Sequence, residues 1–83
     1  MTLWEQELAL VEAAALRIEA LEHDAERRFD DALASANARG ESAAATRSDE
    51  FRLWMAARAD TDAAWGRWAL VMDARPAGQA AAR

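Results

Sequence analysis

A four-three spacing of apolar and small residues runs through the first half of the chain and limits what it can fold into. From Trp4 the series continues through Leu8, Val11, Ala15, Ile18, Glu22, Ala25, Phe29, Ala32 and Ala36. Steps of four and three keep these positions on one stripe of an α-helix, the seam along which a helix lies against another. Beside the seam, Glu5, Glu12, Glu19 and Glu26 recur every seven residues until Leu33 ends the column. The pattern predicts an acidic amphipathic helix over about 3–39. Gly40 follows, free to take the left-handed conformation that closes a helix C-terminus, and Arg39 sits where the helix dipole favours a cation.

A second seam occupies the C-terminal half: Phe51, Trp54, Arg58, Thr61, Trp65, Trp68 and Met72, with Ala57, Ala64 and Val71 beside it. Thr46 and Ser48 are the candidate N-caps, and Asp49 and Glu50 suit the first turn of the helix they open. This helix is predicted over about 47–74, since Pro76 pushes Arg75 out of helical geometry. The connection spans about 40–46, within which Ser42 to Ala45 is also compatible with helix. A tail, 76–83, follows a single domain of residues 1–75. Gly66, inside the second helix, costs about 1 kcal/mol relative to alanine and reads as an exposed glycine.

Two helices and a short turn make an antiparallel, coiled-coil-like hairpin in an all-α chain. A turn centred near Ser42 would set Phe29 and Ala32 against Trp54 and Met55, and Ala15, Leu16 and Ile18 against Trp65, Trp68 and Ala69. The start of the first helix, with Leu3, Trp4, Leu8 and Leu10, would then overhang the end of the second. Composition turns this geometry into an expectation about assembly. Apolar residues make up 53% of 83 residues, but many are alanine, which favours helix and buries little. Burial therefore rests on few large side chains, four of them tryptophan, each able to bury about 150–250 Å². A two-helix hairpin has one contact line and cannot enclose them all. Dimerisation into a four-helix bundle is the expected solution, with Leu3, Trp4, Leu8, Val11, Trp54, Trp65, Trp68 and Met72 as the partner-binding residues.

Charge points elsewhere. Residues 1–31 hold nine acids against Arg17, Arg27 and Arg28, whereas residues 32–83 hold six acids and seven arginines. Neither helix offers the basic face that duplex binding or an anionic membrane needs. Glu19, Glu22, Glu26 and Asp30 instead form an acidic face, with Glu22, Glu26 and Asp30 spaced about 6 Å apart along the axis, comparable to successive phosphates. A second reading follows: an inhibitor that fills a basic groove in place of nucleic acid, as anti-CRISPR proteins do. A third is a small subunit or adaptor of a larger assembly.

The patterns that carry chemistry are missing. There is no cysteine and one histidine, His23, whose neighbour four residues back, Glu19, suggests a helix-surface hydrogen bond. Di-iron bundle spacing needs a glutamate where Ala20 stands, zinc-protease spacing needs a second histidine, and no glycine-rich phosphate loop occurs. Ser35, Ser42 and Ser48 read as turn or cap residues. The expectation is a non-enzymatic protein without cofactor or metal that binds itself or another protein. With no signal-peptide pattern and no run of about 18 apolar residues, it is expected in the cytoplasm.

Overall fold

The computed structural model describes residues 1–77. Helix α1 spans Leu3–Ala38, a single turn of helix α2 spans Ser42–Ala45, and α3 spans Asp49–Asp73. The two long helices lie against each other as a hairpin, a rod of 61 × 19 × 16 Å. Its radius of gyration, 18.6 Å, is far above the roughly 12 Å of a compact domain of this length. Among the described residues no helix is long and apolar enough to cross a membrane. The segment 78–83 of the expected tail lies outside the described residues.

Each helix begins and ends for a local reason. Thr2 opens α1 with a capping box: its hydroxyl accepts from the Glu5 amide at 3.1 Å, and its own amide donates to Glu5 Oε1 at 2.8 Å. The bond from the Thr2 amide, with the Thr2 side chain beside it, holds the Glu5 carboxyl below its usual value. At the other end Gly40 adopts φ +72°. The Glu41 amide then donates to Ala36 O at 2.8 Å and the Gly40 amide to Asn37 O at 3.0 Å, the paired bonds of a Schellman closure. Ser48 joins the two later helices, its hydroxyl donating to Ala45 O at 2.6 Å and accepting from the Phe51 amide at 3.2 Å. Of the two candidate caps it is Ser48 that opens α3, two residues later than the predicted start.

The burial pattern follows the four-three seams. Along α1, Ala15, Phe29 and Ala36 are buried and the remaining seam residues half-buried, Glu22 included. Along α3, Thr61 and Ala64 are buried, Trp54, Trp65, Trp68 and Met72 half-buried, and Arg58 exposed. Buried Thr61 satisfies its hydroxyl on Ala57 O at 3.1 Å, within its own helix. Near the turn Phe29 stacks on Trp54 at 5.1 Å and tilts against Phe51 at 5.4 Å, in a cluster closed by Ala36 and Ala45.

The expected pairing holds near the turn, where Phe29 faces Trp54, but the expected overhang needs correction: Trp4 is joined to the end of α3. Its indole N–H donates to Val71 O at 2.7 Å, and the Arg75 guanidinium lies 5.3 Å from its ring centroid. Val71 O, in the last turn of α3, also accepts from the Ala74 amide at 3.2 Å, so the indole is a second donor to the same carbonyl and ties the end of α3 to the start of α1. The facing residues near the turn are those expected, so the difference lies at the open end, where the long Trp4 indole is directed onto α3 and closes the gap that an overhang would leave.

Candidate interaction surface

Most of the residues expected to bind a partner are engaged within the hairpin. Leu8 and Val11 are half-buried on the α1 seam, and Trp54 is held by Phe29 and Phe51. Trp65 and Trp68 pack edge to face at 5.7 Å, and Arg58 lies 5.8 Å from the Trp54 ring centroid. Leu3 alone of that set is open to solvent. Among the described residues the indole N–H groups of Trp54 and Trp68 are buried without a hydrogen-bond partner, each at a cost of about 1–3 kcal/mol.

The apolar surface that remains lies off the seam. Leu3, Leu10, Leu16, Leu21, Leu53 and Leu70 are between 51% and 84% exposed, and no large side chain among the described residues is fully buried. Leu3, Leu10 and Leu21 recur at steps of seven and eleven, which returns them to one side of α1 about a quarter-turn from its seam. Leu53 stands on the same side of α3. Between the helices on this side runs a groove of about 160 Å³ lined by Ile18, Leu21, Ala57, Asp60, Ala63 and Arg67. A second hollow, bordered by Ala32, Ser35, Ala36 and Arg39 among others, lies toward the turn. Reading only the seam misses this side; the helical position of each leucine, taken singly, is the signal that finds it.

The acidic face is less open than its sequence implies. Glu19, Glu22 and Glu26 are half-buried along the inter-helix edge, and Asp30 is exposed. Within the charged stretch Asp24 binds both Arg27, at 3.1 Å, and Arg28, at 2.9 Å. The latter is the pair expected from their four-residue spacing. His23 is exposed and the expected bond to Glu19 is not formed. Among the described residues no group of three or more His, Cys, Asp or Glu side chains is placed to hold a metal ion.

Comparison with protein-family models, with curated proteins and with solved structures finds no match to this chain.

Proposed function

We propose that the protein is a self-associating helical hairpin whose activity is protein binding. The observation that carries this reading is the leucine-bearing side of the rod, apolar surface that the hairpin makes no use of. Burying a leucine fully is worth about 1.5–3 kcal/mol, and contiguous exposed apolar surface of this kind marks interaction sites. One side of the rod, 61 × 19 Å, spans roughly 1,200 Å² in projection, room for the roughly 800 Å² per partner of a standard interface. A second hairpin laid on it would complete a four-helix bundle.

The test is absolute mass by light scattering on a sizing column across a range of loading concentrations. A dimer is expected, and the double substitution Leu21→Glu with Leu53→Glu is expected to yield a monomer of unchanged helix content by circular dichroism. A wild-type monomer at every concentration would remove the reading. We place the nucleic-acid mimic second, since three of its four carboxylates are half-buried and Arg27 and Arg28 neutralise their surroundings.

A further inference from the structure

We infer that the grooved side of the rod is the surface on which two copies of the chain pair. They run antiparallel, with the two-fold axis level with residues 17–18 of α1 and 63–64 of α3. This rests on the self-association reading above and adds the side, the direction and the register.

The argument comes from charge and size. Asp60 and Arg67 both line the groove, both are exposed, and neither has an ion-pair partner within the described chain. They stand seven residues apart on one side of α3. If α3 lies antiparallel on α3 of a second copy, with the axis midway between them, each Asp60 faces the other copy's Arg67, twice per dimer. On the same side of α1 stand Glu7 and Arg28, whose midpoint falls between Arg17 and Ile18. The same axis therefore brings Glu7 opposite the second copy's Arg28, which also holds Asp24 of its own chain. The hairpin sets the two midpoints at the same height, since Ile18 and Ala63 line one groove.

Side-chain size obeys the same axis. Leu21 falls opposite Ala14, Leu3 opposite Ala32, Leu53 opposite Ala74 and Val71 opposite Ala56, a large side chain against a small one in each of these four, as interdigitating helices require. Leu3, which has little contact within its own chain, meets the hollow bordered by Ala32, Ser35 and Ala36. Ala63, exposed beside the axis, permits close approach of the two α3 helices. A parallel pair about an axis along the rod would set α1 on α3 and lose both charge pairings.

Asp60→Arg and Arg67→Asp, made separately, each place like charges opposite at two points in a homodimer. Each is expected to raise the dimer Kd roughly tenfold or more. Mixed in equal amounts, the two variants regain opposite charges at both points and should form a heterodimer in preference to either homodimer. The doubly substituted chain should dimerise like the wild type. Ala63→Cys, in a chain with no other cysteine, should form a disulfide with its own copy under mild oxidation. If the wild type dimerises while the charge variants dimerise equally well, with no preference in the mixture and no Ala63→Cys cross-link, this interface is wrong and self-association stands. If the wild type does not associate at all, both fall together.

Discussion

The two ends of the rod are held together by different physics. At the turn, three aromatic rings pack within about 6.4 Å of one another around Phe29, which is 8% exposed, and the reversal behind them carries its own backbone hydrogen bonds. At the open end the helices meet through one indole N–H on a carbonyl and one guanidinium over a ring. The turn end is a small hydrophobic core, and the open end is a clasp of directional contacts. A rod built this way has a gradient of stability along its length, and local opening should begin at the end that the turn does not close.

The largest test of that contrast is Phe29→Ala. Removing the central ring of the cluster should cost about 3–5 kcal/mol, much of the stability of a domain this small, and urea titration followed by circular dichroism should show a lower midpoint or no cooperative transition. Trp4→Phe keeps a ring for Arg75 and deletes only the N–H donor. The expected loss is about 1 kcal/mol, confined to the open end, so hydrogen exchange should quicken around Val71 while the amides near Phe51 are unchanged. Equal acceleration at both ends would mean that the rod opens as one unit.

Smaller still is Gly66→Ala. The space around Gly66 is open, with nothing within 4 Å of an added Cβ, and its backbone is helical, so alanine should stabilise the hairpin by about 0.5–1 kcal/mol. Loss of stability there would place a second copy against Gly66, on the side away from the groove. The most local test is acidification. Because the Glu5 carboxyl is held below its ordinary value of 4.5 in the folded chain, its contribution is present above that value and is lost as pH falls through the depressed one. The Thr2 amide resonance should move with that titration, at a pH below 4.5, and Glu5→Gln should abolish the movement.

How much of this was legible from residues alone follows from what periodicity can encode. The four-three spacing predicted the buried stripe of both helices down to Ala36 and Thr61, because a seam is a property of each helix by itself. Gly40 and Ser48 were readable for the same reason, as local backbone requirements. The meeting of the two open ends was not, since sliding one seam along another leaves both periodicities intact. The contact at the open end was decided by the reach of the Trp4 indole onto α3, which no spacing records. The same blindness misplaced Trp4: it reads as an unpaired apolar residue, while its role depends on the carbonyl of a residue 67 positions away. The grooved side was overlooked because its leucines, spread at seven and eleven, look like strays beside a regular seam.

The Schellman closure at Gly40 and the Ser48 bridge have a mechanical consequence. Together they make the shortest route between the two arms also the most constrained, and closing a loop of about ten residues takes only about 10–100 ns. A hairpin that grows from such a corner adds each contact beside one already formed. Pulled by its two termini, the molecule should therefore part like a zipper, yielding first at Trp4 under low force and resisting last at Phe29, rather than breaking in a single event.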